Sequence, residues 1–164
     1  MILKPDIYVS SFKKITPELL SSLGVSAILT DLDDTLVPHG CMTMPEDVRN
    51  WVASMQDAQI GVCIVSNNSK ERVLPVAREL KTECEFDAHK PSTVFIENAS
   101  RKLGVEKNNM IFMGDQLFTD IAAAKNAKIR CILVDPVGGA KTTVWIKIKR
   151  VAEKLIKKNF RKDD

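Results

Sequence analysis

Short uninterrupted apolar runs alternate along the chain with longer stretches in which apolar positions recur every three or four residues. The first kind predicts strands buried on both faces, the second amphipathic helices packed against them. Strands are expected at about 25–31, 60–66, 110–113 and 129–134, with a weaker one near 86–88. A short helix begins with Thr16 as N-cap and Pro17 in its first turn, and stops at Gly24. Further helices are expected over 45–58, 70–81, 92–103, 119–126 and 142–159, with Pro75 expected to bend or break the second of these. Strands separated by helices in this order predict an α/β fold, a doubly wound parallel sheet whose ligand site lies beyond the carboxyl ends of its strands.

Length and composition sharpen this picture. A chain of 164 residues suits one domain with a core that needs neither disulfides nor a structural metal. Cys41, Cys63, Cys84 and Cys131 form no CxxC pair, and Cys63 and Cys131 fall inside strand-like runs, which points to a reducing, cytoplasmic setting. The N-terminal stretch lacks the apolar core of a signal peptide and no apolar run reaches membrane-spanning length, so neither a secreted nor an integral membrane protein is expected. No repeat, low-complexity tract or linker divides residues 1–164, which read as a single domain. Charge is uneven: residues 141–164 hold nine Lys/Arg against three Asp/Glu and so carry +6, leaving −3 on the rest of a chain whose net charge is +3.

The candidate chemistry sits where the apolar runs end. The run from Ala27 drives directly into Asp31, Asp33 and Asp34. A strand's period of two puts Asp31 and Asp33 on the same side, where they repel unless a cation lies between them, and a hard divalent ion such as Mg²⁺ suits such oxygen ligands. The next run ends in Ser66-Asn67-Asn68, a hydroxyl and two amides that taken alone are an ordinary turn and helix cap. His89-Lys90-Pro91 follows the weak strand, and Lys90 taken alone reads as a solvated loop cation. The run at 110–113 leads into Gly114-Asp115 and on to Asp120, a second acidic pair of which only Asp120 is explained by a helix start. Carboxylates, a hydroxyl and an ammonium on one rim are the inventory needed to bind and transfer a phosphoryl group. A receiver-like phosphoacceptor domain has similar parts, but expects its hydroxyl residue and lysine on its last two strands, whereas Ser66 follows the second run and Lys90 precedes Asp115.

Asp31-Leu32-Asp33-Asp34-Thr35, Ser66, Lys90 and Gly114-Asp115 with Asp120 resemble, in order, the four motifs of the haloacid dehalogenase superfamily of phosphohydrolases. The resemblance spans about residues 25–135 and is nearest to the YqeG-type branch of subfamily IIIA, which usually has Asn where this chain has Asp34. It implies that Asp31 attacks phosphorus to form an aspartyl-phosphate, and that Asp33 protonates the leaving oxygen and then activates water. It further implies that Mg²⁺ is held by the Asp31 and Asp115 carboxylates and the Asp33 backbone carbonyl, with Asp120 orienting that shell. Ser66, with Asn67 beside it, would bind the phosphoryl group, and Lys90 would offset its charge. The 34 residues between Asp31 and Ser66 and the 23 between Ser66 and Lys90 leave no room for a cap domain, so an open site is expected.

The basic tail bears on the substrate. Val144, Ile148, Val151, Leu155 and Ile156 recur at helical spacing, with Trp145, Ala152 and Phe160 nearby, opposite Lys147, Lys149, Arg150, Lys154, Lys157 and Lys158. One expectation is a helix packed on the sheet with a solvated basic face; the other is peripheral contact with an anionic membrane surface. The resembling branch includes mitochondrial and plastid phosphatidylglycerophosphate phosphatases, which implies a phosphorylated, lipid-linked substrate. A soluble phosphometabolite, nucleotide or phosphoprotein is the alternative, and an inactive membrane- or RNA-binding module is the alternative of a different class. No specific nucleic-acid binding is expected.

Overall fold

The computed structural model describes residues 3–138, 158 and 160–164. Six parallel strands form one sheet: β1 (Ile7–Val9), β2 (Ala27–Thr30), β3 (Gly61–Val65), β4 (Glu83–Glu85), β5 (Met110–Gly114) and β6 (Arg130–Val134), in the spatial order β1-β6-β5-β2-β3-β4. The chain runs outward from β2 through β3 to β4, returns to β5 on the other flank of β2, and runs outward again to β6. The reversal between β2 and β5 opens a crevice at the carboxyl ends of those two strands. This is the expected doubly wound α/β architecture.

The strands are apolar on both faces because both are covered. Ile28, Val62, Ile64, Ile111, Met113, Ile132 and Val134 point into one core. There they meet α1 (Pro17–Ser22), α2 (Glu46–Asp57) and α3 (Lys70–Leu80), through residues such as Leu20, Val48, Trp51, Met55, Val73 and Leu80. The alternate positions Leu29, Cys63, Val65, Phe112, Cys131 and Leu133 face a second core, built with α4 (Val94–Leu103) and α5 (Ala122–Ala127). Trp51 joins the two requirements of a buried indole, packing edge-on to Phe12 at 5.5 Å while its Nε1 donates to the Ile15 carbonyl at 2.8 Å. The four cysteines are free, and three of them are buried in these cores.

Four local expectations are corrected. The weak strand lies at Glu83–Glu85 rather than 86–88, pairing with Cys63–Val65 at the sheet edge, where only one side needs a partner and polar residues are tolerated. The edge strand β1 was not expected at all; it is three residues long and pairs with β6 across most of the chain. Pro75 lies inside α3 without breaking it, because Pro75 and Glu71, whose carbonyl loses its donor, both sit on the exposed face, open to solvent. The segment expected as a helix from residue 119 opens earlier, as a wide π-type turn over Leu117–Ile121 that leads into α5.

Residues 160–164 return to β1. The Asp163 amide donates to the Tyr8 carbonyl at 2.6 Å, and the Tyr8 amide to Asp163 Oδ2 at 3.0 Å, occupying backbone groups of the edge strand. The helix expected over 142–159 falls, apart from residue 158, outside the described residues. Among the described residues no helix is long and apolar enough to cross a membrane.

Candidate active site

Four strand ends deliver the site. β2 runs out at Thr30, and Asp31 follows, its amide still donating to the Met113 carbonyl of β5 at 2.9 Å as a last rung of the ladder. A tight turn then folds the chain back: the Leu36 and Val37 amides donate to the Leu32 carbonyl, and Asp34 takes a left-handed conformation at φ 63. Asn and Asp accept that conformation more readily than other residues, which accounts for a short polar side chain at position 34. Asp34 Oδ1 accepts the His39 amide at 3.1 Å, and its carbonyl accepts the Val137 amide, fastening the flap 37–44 and the segment after β6 to the mouth of the sheet.

Asp31 and Lys90 form the centre. Lys90 Nζ lies 2.9 Å from Asp31 Oδ1 and 2.8 Å from Asp120 Oδ1, with the Phe112 ring 5.6 Å away, and its side chain is 3% exposed. Burial alone would pull the ammonium down, but Asp120 and then Asp31 outweigh it and hold Lys90 above its ordinary range. Burial pushes Asp31 the other way, up to about 7, with Lys90 opposing the rise and Asp120 adding to it. Lys90 is therefore no solvated loop cation. Its backbone is fixed by Asn67, whose Oδ1 accepts the Lys90 amide at 2.8 Å.

Asp115 and Asp120 complete an acidic cluster with Asp31, in which one carboxylate oxygen from each lies within 4.8 Å of the others. Thr35 Oγ1 donates to Asp115 Oδ1 at 3.3 Å, and the Gln116 amide donates to Asp120 Oδ2 at 3.0 Å. Three buried carboxylates against one ammonium leave two formal negative charges, and oxygen donors of this kind fit a hard divalent cation. Gly114 is what lets Asp120 in: a Cβ at that position would collide with the Asp120 side chain. Gly114→Ala is expected to push Asp120 off Lys90, to cost about 1–3 kcal/mol as an overpacked core does, and to weaken divalent binding. Thermal unfolding and Mg²⁺ titration check this, and an alanine variant with both unchanged would contradict it.

Asp33 is held apart from that cluster. Its Oδ1 accepts from Arg72 Nη2 at 2.8 Å and the Gly40 amide at 3.0 Å, and its Oδ2 from Asn68 Nδ2 at 2.7 Å. Ser66 Oγ accepts the Asn68 amide at 3.1 Å. Asp31, Asp33, Ser66, Asn67 and Lys90 line a single cavity of about 150 Å³, together with Asp34, His39, Asn68, Gln116 and Thr119. Asp115 and Asp120 are not among the lining residues and adjoin it through Asp31. All the residues proposed from sequence thus converge, and the segments between Asp31, Ser66 and Lys90 hold only the flap, α2, α3, β3 and β4. Arg72 was not foreseen: in sequence it is one more charged residue at a helix start, and its partner lies 39 positions away.

Comparisons with known proteins bear on the family and the fold. A HAD-hydrolase-like family model matches residues 88–155. The "Probable phosphatase YqeG" of Bacillus subtilis (strain 168) is 34% identical over 136 residues, covering 83% of this chain and 79% of its own. Among solved structures, an uncharacterized protein from Listeria monocytogenes serotype 4b aligns with a TM-score of 0.56 at 15% identity, covering 82% of this chain and 99% of that one. The cobalt-bound deoxy-D-mannose-octulosonate 8-phosphate phosphatase of Haemophilus influenzae aligns with a TM-score of 0.51 at 15% identity, covering 77% and 72%. At such identities the two structures attest the fold, while the Bacillus relative attests the lineage. The chain belongs to the haloacid dehalogenase-like hydrolases, as a phosphatase of their YqeG-type branch.

Proposed function

We propose that the protein is a Mg²⁺-dependent phosphomonoester hydrolase that works through an aspartyl-phosphate on Asp31. The observation that carries this reading is the buried contact of Asp31 with Lys90 at 2.9 Å, both lining the cavity, beside a carboxylate set suited to a divalent ion. An Asp31 carboxylate oxygen attacks phosphorus as the ester P–O bond breaks. The bonding pair leaves with the departing oxygen, which takes a proton from the Asp33 carboxyl. Asp33 then takes a proton from the water that cleaves the acyl-phosphate, returning Asp31 and releasing phosphate. Lys90 keeps Asp31 ionised and oriented. Ser66 Oγ, oriented by the Asn68 amide, donates to a phosphoryl oxygen, and the Asn67 amide, fixed through its Oδ1, donates beside it. Mg²⁺ would be held by Asp31, Asp115 and the Asp33 carbonyl, with Asp120 behind them, and supplies the charge neutralisation that lets a phosphate dianion approach a carboxylate.

Purified protein is expected to hydrolyse p-nitrophenyl phosphate with Mg²⁺ and to fall silent in excess EDTA. Equal activity in EDTA would contradict the metal assignment. A cavity of about 150 Å³ accommodates a phosphoryl group and little more, so the rest of the substrate projects outward. Together with the basic residues after 140 and the family resemblance, this supports a lipid-linked phosphate such as phosphatidylglycerophosphate, met at an anionic surface. The expected result is phosphate release from phosphatidylglycerophosphate in mixed micelles and salt-sensitive binding to anionic vesicles. Release from soluble sugar phosphates or nucleotides alone, with no vesicle binding at low salt, would replace that substrate with a soluble one.

A further inference from the structure

Arg72 stands in the first turn of α3, where the positive end of the helix disfavours a cation. Its side chain is 14% exposed, its Nη2 meets Asp33 Oδ1 at 2.8 Å, and its Nε and Nη1 are buried without a hydrogen-bond partner among the described residues. A pair retained only for stability is poorly explained by this. Burying a guanidinium with two donors unsatisfied is costly, and an apolar side chain would serve the start of α3 as well. Local rules broken in this way mark functional sites.

The consequence is visible at Asp33. Were the chain to continue extended past Thr30, the period of two would put Asp31 and Asp33 on one side and let both carboxylates enter the same acidic cluster. They do not. Lys90 engages Asp31, whereas Arg72 draws Asp33 toward α3, with the Gly40 amide from the flap and Asn68 from the β3 loop holding the remaining oxygen positions. Two cations thereby sort two neighbouring carboxylates into separate places, and among the described residues Asp31, Asp115 and Asp120 remain as the metal-fitting set.

We propose that Arg72 is the positioning residue for Asp33, keeping its carboxyl at the leaving-group side of the cavity and out of the Asp31–Asp115–Asp120 cluster. The proposal rests on the phosphatase reading above, in which Asp33 delivers the proton to the departing oxygen. A misplaced Asp33 matters most when the departing oxygen needs that proton and least when it leaves as a stable anion. The test compares kcat/KM of R72Q and R72K with wild type on an alkyl ester, glycerol 2-phosphate, and on p-nitrophenyl phosphate.

R72Q is expected to lose about 100-fold in kcat/KM on the alkyl ester and less than about fivefold on the aryl ester, because kcat/KM reports the phosphoryl transfer to Asp31 and not the later water step that both esters share. R72K, which keeps the charge but not the planar fork, is expected to recover part of the alkyl activity. Equal losses on the two esters, or no loss on either, overturn the proposal. Should R72Q fail to fold, R72K carries the test alone: a smaller divergence of the same sign supports it, and parallel losses overturn it. Wild-type protein that turns over neither ester overturns the phosphatase reading itself, an outcome distinct from parallel losses in active variants.

Discussion

Asp31→Asn is expected to lower turnover by about 10⁴-fold or more, because it removes the atom that accepts the phosphoryl group and no other step can be reached without it. The loss will not be a folding defect. Asp31 is buried, and burial pushes its carboxyl up to about 7, so the ionised side chain is a charge the metal-free fold holds at a cost. A neutral isostere removes that cost while its Oδ1 still accepts the Leu32 amide. The variant should therefore unfold at or above the wild-type temperature without Mg²⁺, and gain less on adding it. Wild-type turnover by Asp31→Asn would assign the attack to another residue.

Lys90→Met is the second large effect. The methionine stem fits the same space beside Phe112, but Asp31 and Asp120 are left facing each other in the core without the ammonium between them. Breaking a buried pair from one side costs about 3–5 kcal/mol, and the loss of a preorganised cation at the reacting group lowers kcat by about 10²–10³. Mg²⁺ should stabilise this variant more than wild type, since the carboxylate cluster has lost its internal counter-charge. Thermal unfolding with and without Mg²⁺, together with turnover, checks both statements. Stability and turnover within twofold of wild type would remove Lys90 from the centre of the account.

The central sheet was legible because its demands are written locally. β2, β3, β5 and β6 are buried on both faces and appear as continuous apolar runs, and the residues that end them supply Asp31, Ser66 and Asp115. The edge strands were not, since β4 carries Glu83 and Glu85 and gains its identity from pairing with Cys63–Val65, and β1 gains its from β6. Partners remote in sequence leave no periodic trace. The same reason hid Arg72, whose meaning lies in Asp33, and the π-type turn at Leu117–Ile121, which the chain adopts to bring Asp120 down onto Gly114 and Lys90. Pro75 misled because its position relative to solvent, rather than its presence, decides whether a helix survives it.

The substitutions above all presuppose a covalent phosphoryl group on Asp31, and that group can be seen directly. Wild-type protein mixed with p-nitrophenyl phosphate and Mg²⁺, quenched in acid and reduced with borohydride, converts an acyl-phosphate into the corresponding alcohol at the modified residue, which peptide mass spectrometry locates. Homoserine is expected at position 31, dependent on Mg²⁺ and absent without substrate. Modification at another carboxylate, or turnover with no residue modified, would contradict it.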